Sequence, residues 1–291
     1  MLYFCNMISG ETIILGVFGD PITHSYSPQL HNSVAKSLGL DCCYVAFPVK
    51  ANCLQAAVQG LDALGIRGIN VTVPHKEMIM SFLDCCDEDA LAMGAVNTIV
   101  NRDGLLHGYN TDGKGFIYSL CEYHQQSVKG KNIVFLGAGG TAKALSYTCL
   151  NQEVASLTII NRTVEKADSI KDELLQCNSS IPLQTFATAD TACLEVLNQA
   201  DIIINVTSLG LANQDPLPIQ TLDWMHSKQC LIDVIYNPRE TRFLAAGKQK
   251  GLTVINGLAM LIAQAAYSFS LFMDVDPPFE HFFSQLNSFE E

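Results

Sequence analysis

A lysine and an aspartate, each set in a distinctive stretch, are the residues of this 291-residue chain best suited to moving a proton. Lys76 lies in N-V-T-V-P-H-K-E (Asn70 to Glu77), where an apolar run gives way to a helical pattern, so it is expected at a strand-to-helix turn. Asp112 lies in G-Y-N-T-D-G (Gly108 to Gly113), which reads as a glycine-flanked loop. An ammonium can release a proton to a developing oxyanion, and a carboxylate beside it can hold it in place. A lysine at a helix start is ordinarily a solvated surface charge, and the aspartate motif is what turns the reading toward chemistry. Upstream, His24-Ser25-Tyr26-Ser27-Pro28 puts two hydroxyls beside a helix N-terminus, a seat for a carboxylate. Ser27 would serve equally well as a plain N-cap. Asn70 and Thr72 stand at i and i+2 of one strand and share a polar face, with Val71 and Val73 on the other. Asn97, expected to begin the next strand, can join that face.

A second constellation would supply an electron carrier. Ile133 to Thr141 reads I-V-F-L-G-A-G-G-T and is followed by Ala142, a G-x-G-x-x-A pattern between a strand and a helix. Gly137 permits the tight turn, Gly139 lets a pyrophosphate approach the backbone, and Ala142 allows close helix–strand packing. Ala138, Gly140 and Thr141 complete the turn, and the helix N-terminus offers free N–H groups to the anion. A ligand-free β–α turn would show the same glycines, but the flanking strand and helix favour a nucleotide site. An NAD site would place an acidic residue at the end of the second strand for the ribose 2′-hydroxyl. The chain instead reads Asn161-Arg162-Thr163 there, with Lys166 one turn on. Arg162 can pair with a 2′-phosphate that an aspartate would repel, Asn161 and Thr163 can donate hydrogen bonds, and Lys166 adds positive field. NADP is the expected cofactor.

The elements that must position these groups alternate along the chain. Residues 13–19, 43–49 and 68–73 read as strands. Between them come a helix opened by Ser27-Pro28 and closed by Gly39, and a helix over 51–64 carrying Leu54, Val58, Leu61 and Leu64 on one stripe. Residues 96–109 read as a hairpin around Asp103-Gly104. A helix over 116–124 then leads into a stricter βαβ rhythm, with strands at 133–136, 157–160, 201–206 and 231–235. These are continuous β-branched or leucine runs, as sheets covered on both faces require. After Gly257 the chain returns to helix, and 279–289 reads as a short aromatic helix. The expected fold is α/β with two domains. An N-terminal α/β substrate domain spans 1–112 and is completed by helices in 258–291; a Rossmann-like, doubly wound dinucleotide-binding domain spans 113–257.

Composition removes other classes. The chain carries 17 basic and 29 acidic residues, a net charge of −12, with no basic cluster to meet a nucleic-acid backbone. The eleven cysteines include the adjacent pairs Cys42-Cys43 and Cys85-Cys86 but no C-x-x-C, and the seven histidines are dispersed, so no metal site is expected. No apolar run is long enough to span a bilayer, and no basic segment precedes the N-terminal apolar residues. A cytoplasmic protein with reduced thiols is expected, monomeric or homodimeric, with a small-molecule substrate and no membrane or nucleic-acid partner.

In order, the stretches G-V-F-G-D-P-I-T-H-S-Y-S-P, N-V-T-V-P-H-K-E, G-A-V-N-T-I, N-T-D-G, G-A-G-G-T-A, N-R-T, N-V-T-S, D-V-I-Y-N-P and N-G-L-A-M-L-I-A-Q-A-A resemble the shikimate dehydrogenases over nearly the whole chain. The resemblance implies NADP-dependent interconversion of shikimate and 3-dehydroshikimate in aromatic (chorismate) biosynthesis, with Lys76 and Asp112 as the catalytic pair. It implies that Ser25 and Ser27 hold the substrate carboxylate with Tyr236 nearby, and that Asn70, Thr72, Asn97 and Gln264 line the polyol site. Gly257 and backbone near Val234 and Met260 would touch the nicotinamide side, with Glu88 near the cofactor. Ala259 stands where the family usually has glycine, which would slightly alter packing against the cofactor. Two other readings stay open: a quinate/shikimate dehydrogenase using NAD, which an acidic residue after the second strand would have favoured, and a non-catalytic NADP-binding regulator, which has no need of Lys76 and Asp112.

Overall fold

In a computed structural model describing residues 8–177, 181–212 and 214–286, the first apolar run forms β1 (Ile13–Gly19) and is followed by α1 (Ser27–Leu38). Gly39 ends α1 at φ 68°, a left-handed conformation that glycine adopts without steric cost. The helix start differs from expectation: Tyr26 occupies the cap position and Ser27 is the first helical residue. Ser27 cannot cap because it already lies inside the turn, its own N–H directed at Ser25 Oγ (3.3 Å). β2 (Cys42–Pro48), α2 (Leu54–Ala63) and β3 (Ile66–Val71) follow. β3 stops two residues short of the expected end, leaving Val73 outside the strand and 69% exposed. Pro74 has no N–H with which to continue the ladder. A two-residue strand, β4 (Cys85–Cys86), precedes α3 (Glu88–Met93), which Asp87 caps through Ala90 N–H (2.8 Å). β5 (Thr98–Arg102) and β6 (Leu105–Tyr109) form the hairpin, with Asp103 and Gly104 both at positive φ, as a two-residue turn requires. The sheet order is β2-β1-β3-β5-β6-β4, with β1 parallel to β2 and β3, and β3–β5 and β5–β6 antiparallel.

Asp112 does not sit in a loop. It is the first residue of α4 (Asp112–Ile117), because Asn110 Oδ1 accepts the Asp112 N–H (3.0 Å) and turns the chain into the helix. The expected helix over 116–124 continues α4 as a π-helical segment over Tyr118–Tyr123.

Downstream come β7 (Asn132–Leu136), α5 (Gly140–Leu150), β8 (Ser156–Asn161), α6 (Val164–Gln176), β9 (Leu183–Ala187) and α7 (Cys193–Gln199). β10 (Ile202–Asn205), β11 (Cys230–Asp233), α8 (Arg242–Gln249) and β12 (Thr253–Ile255) complete this region. The six strands are all parallel in the order β12-β11-β10-β7-β8-β9, the doubly wound arrangement. Ile133, Phe135, Ile159 and Ile204 pack with α5 on one face, while Val134, Leu136, Ile160 and Ile203 pack with α7 and α8 on the other. The apolar runs therefore still alternate between two cores. β9 and β12 lack such runs because they lie at the sheet edges.

α9 (Leu258–Met273) and α10 (Phe279–Phe283) end the described chain, and the expected extension of the last helix to residue 289 lies partly outside the described residues. By its contacts the chain divides into Met1–Gly115 with Ile262–Glu291, and Phe116–Leu261. Among the described residues no helix is long and apolar enough to cross a membrane. In the first unit α9 packs so closely on β3 that a Cβ at Gly68 would lie 2.2 Å from the Phe272 ring.

His31 of α1 is buried in this layer, stacked on Tyr44 (4.2 Å between ring centres) and edged by Phe282. Neither ring nitrogen has a hydrogen-bond partner, and burial lowers its pKa from 6.5 to about 3. The unfolded chain therefore binds a proton below pH 6.5 that the native protein refuses until about pH 3. Stability is expected to be full above pH 6.5 and to fall as pH drops from there toward 3. His31→Phe should lessen that slope by up to one proton. Urea titrations at neutral and mildly acidic pH check this, and parallel slopes for the two proteins would exclude it.

Candidate active site

The first unit brings the lysine and aspartate together. Lys76 Nζ lies 2.7 Å from Asp112 Oδ2, with the lysine side chain 23% exposed and the aspartate 9%. The Lys76 carbonyl accepts Val96 N–H (2.8 Å), which ties the turn after β3 to the approach to β5. Asp112 is held from behind by Asn97, whose Nδ2 donates to Asp112 Oδ1 (2.8 Å) and Thr111 Oγ1 (2.9 Å). Asn97 Oδ1 accepts the backbone N–H of Thr111 (2.9 Å) and the Thr98 hydroxyl (2.8 Å). A backbone N–H can only donate, so the amide oxygen must face it and the amide nitrogen must face Asp112. Gln264 Oε1 is a third, longer contact of Asn97 Nδ2 at 3.4 Å. Asn97 lies just before β5 rather than within it, its carbonyl accepting Val71 N–H (2.8 Å).

Asn70 is on no open polar face. It is 8% exposed, its Oδ1 accepts the Tyr44 hydroxyl (2.8 Å), and its Nδ2 reaches Asn97 O, Thr98 Oγ1 and Ser268 Oγ at 2.9–3.1 Å. Thr72 is only partly buried, and its methyl packs where a Cβ at Gly19 would fall. Burial raises the Tyr44 phenol well above its ordinary pKa, and a hydrogen bond with the Ser27 side chain offsets part of the rise. Ser25 and Ser27 thus stand at the start of α1, with Ser27 reaching the same network as Asn70.

Sequence reasoning did not single out Tyr44, Thr98, Thr111 or Ser268. Ser268 follows Gln264 by one helical turn, and both threonines directly follow asparagines, so spacing held a signal for these three. Nothing local marks Tyr44.

In the second unit the turn after β7 has the expected form. Gly137 takes φ 116°, and a Cβ there would lie 2.8 Å from Thr207 Cγ2, so glycine is required. Gly139 precedes α5 in extended conformation, and a Cβ there would meet nothing within 4 Å. That space lies at the N-terminus of an eleven-residue helix, whose free N–H groups suit a pyrophosphate. Ala138, Gly140 and Thr141 are partly buried around it, and Ala142 is buried. Beyond β8, Arg162, Thr163 and Lys166 are exposed, and no carboxylate pairs with Arg162 or Lys166 among the described residues. Asn161 Nδ2 already donates to Thr163 O (2.8 Å), so its amide shapes the turn. The residues present fit a dinucleotide bearing a 2′-phosphate.

At the ends of β10 and β11, Asn205 Nδ2 and the Thr241 hydroxyl donate to Asp233 (3.1 and 2.7 Å). Burial pushes the Asp233 carboxyl up, against hydrogen bonds from Thr241, Ile235 N–H and Asn205. A Cβ at Gly257 would lie 2.0 Å from Val234 O, so the chain passes there only as glycine. Val234 and Met260 pack against the same core, Tyr236 is partly buried on the loop after β11, and Ala259 is buried. Glu88 is exposed in the first turn of α3, in the first unit, whereas the glycine turn belongs to the second. The ten described cysteines are free, and no group of three or more His, Cys, Asp or Glu able to hold a metal is present among the described residues.

A doubly wound sheet with this glycine turn, in one chain with a lysine–aspartate pair, defines a nicotinamide-nucleotide-dependent dehydrogenase. Residues 17–99 match the family model of the shikimate dehydrogenase substrate binding domain, and residues 119–242 match that of shikimate / quinate 5-dehydrogenase. The chain is 41% identical over 280 residues to the shikimate dehydrogenase (NADP(+)) of Methanosphaera stadtmanae, covering 95% of this chain and 96% of that protein. Its structure is similar to a crystal structure of a shikimate dehydrogenase in complex with NADP+, with TM-score 0.87, 39% identity and 97% of each chain covered. It is also similar to the Thermus thermophilus shikimate 5-dehydrogenase in complex with NADP(H) and shikimate, with TM-score 0.83, 29% identity, and 95% of this chain and 99% of that one covered. The chain belongs to the shikimate dehydrogenase family.

Proposed function

We propose that the protein catalyses the reversible NADPH-dependent reduction of 3-dehydroshikimate to shikimate in aromatic amino acid (chorismate) biosynthesis. The single observation that supports this best is the 2.7 Å Lys76–Asp112 pair, within a member of a dehydrogenase family. NADPH, when bound, supplies the hydride. Lys76 gives a proton to the oxygen that becomes the C3 hydroxyl, and Asp112 holds both the ammonium and that hydroxyl. Ser25 and Ser27 take the ring carboxylate, with Tyr236 beside them. Thr72, Asn97 and Gln264 read the remaining hydroxyls, with Asn70 supporting them from behind. The long Asn97–Gln264 contact is the one a bound hydroxyl would replace, since two amide hydrogens face three acceptors there. The first unit is thus the substrate-binding part and the second the NADP-binding part, with Gly137 to Ala142 holding the pyrophosphate and Arg162, Thr163 and Lys166 the 2′-phosphate. Gly257, Val234 and Met260 border the nicotinamide, and Glu88 contributes near the cofactor. The protein works in the cytoplasm as a monomer or homodimer; free thiols among the described residues support the compartment, and the net charge of −12 supports the lack of a nucleic-acid partner.

Purified protein given 3-dehydroshikimate and NADPH should consume NADPH absorbance. It should oxidise shikimate with NADP+ far faster than quinate with NAD+. No turnover with the first pair of reactants, or a preference for the second, would overturn the assignment.

A further inference from the structure

The hydrogen bonds behind Asp112 extend through Asn97, Thr98 and Asn70 to a tyrosine remote from the proton-transfer pair. The Tyr44 hydroxyl donates to Asn70 Oδ1 (2.8 Å), and the Asn70 amide nitrogen faces Asn97 O (3.1 Å), Thr98 Oγ1 (3.1 Å) and Ser268 Oγ (2.9 Å). Thr98 accepts there and lies within donating distance of both Asn97 Oδ1 and Ser268 Oγ (2.8 Å each). Asn97 Nδ2 then faces Asp112 Oδ1 (2.8 Å), and the other carboxylate oxygen meets Lys76 (2.7 Å). Thr111 N–H (2.9 Å) sets the Asn97 amide and Asn97 O (3.1 Å) faces the Asn70 amide nitrogen, so the Tyr44 hydroxyl adds to orientations that backbone groups also favour. Tyr44, Thr98, Asn97 and Ser268 are buried, which leaves little water to replace a lost partner. The Tyr44 ring itself is stacked on His31 in apolar surroundings, so its hydroxyl is what joins it to the polar chain.

We infer that Tyr44 is a positioning residue of the active site: through Asn70, Thr98 and Asn97, its hydroxyl steadies the orientation in which Asp112 holds Lys76. This rests on the reading of Lys76 and Asp112 as the proton-transfer pair. Tyr44→Phe keeps the stacked ring and removes the hydroxyl, with its donation to Asn70 and its hydrogen bond with Ser27. It is expected to lower kcat about tenfold while leaving KM for NADPH unchanged. In a Lys76→Ala background, where no ammonium remains to orient, the same substitution should cost less than about twofold. Thr98→Val should reproduce the loss and Thr98→Ser should restore near-normal kcat, which tests the chain even if Tyr44→Phe folds poorly. Unchanged kcat in Tyr44→Phe, an equal loss with and without Lys76, or failure of Thr98→Ser to rescue would overturn the inference. Failure of the unaltered protein to reduce 3-dehydroshikimate would instead count against the proposed function.

Discussion

Lys76→Ala is expected to lower kcat by about two to four powers of ten, with a much smaller change in KM for 3-dehydroshikimate. The ammonium is the group of the pair that carries a transferable proton and a charge to meet the developing oxyanion. Asp112 remains in place without it, because Asn97 Nδ2 and the start of α4 hold the carboxylate independently. Loss of rate should therefore come without loss of fold, since the lysine side chain is 23% exposed and fills no core. Lys76→Arg should not rescue: a guanidinium restores the charge but does not release a proton near neutral pH. Steady-state kinetics with thermal melts check both points. A variant with near-normal kcat would remove Lys76 from the reaction.

Arg162→Ala should raise KM for NADPH about 10- to 100-fold, the range for one charge-assisted contact to a phosphate. KM for NADH and kcat at saturating NADPH should hardly move. Arg162 is exposed and forms no ion pair among the described residues, so the variant breaks none of the described ion pairs. The measurement is the ratio of kcat/KM for the two cofactors. An equal change for NADPH and NADH would mean that Arg162 does not read the 2′-phosphate. Lys166, one turn on and also exposed, should contribute less, as a compact ammonium lacks the bidentate geometry of the guanidinium.

Features legible in the chain are those whose causes lie within a dozen residues. The glycine turn is one, since Gly137 needs a positive φ and Ala142 a small side chain whatever else the protein does. The interior strands of the second sheet are another, because strands covered on both faces must be apolar throughout. The β5–β6 hairpin was marked by Asp103-Gly104, which accept the left-handed conformations of a tight turn. The missing acidic residue after β8 pointed to NADP for the same local reason.

Other features depended on partners far along the chain. β9 and β12 were unreadable because an edge strand needs apolar residues on only part of its surface. Val73 is exposed because Pro74 ends the ladder, although the alternation of residue types put it on the same strand face as the buried Val71. Asp112 opens a helix because the Asn110 side chain turns the backbone there, where flanking glycines suggested a loop.

Residue types, spacing and order were sufficient to name the cofactor and the family and to propose the groups that do chemistry. The tertiary structure decided how those groups face one another. Lys76 and Asp112 are 36 residues apart and meet at 2.7 Å, and Asn70 meets Ser268 across 198 residues. An amide or hydroxyl in a sequence has several possible partners and two possible directions of donation. Only the packing of α1, β3, β5, α4 and α9 leaves the Asn70 and Asn97 amides one orientation each, with Asn97 Nδ2 on one carboxylate oxygen and Lys76 on the other.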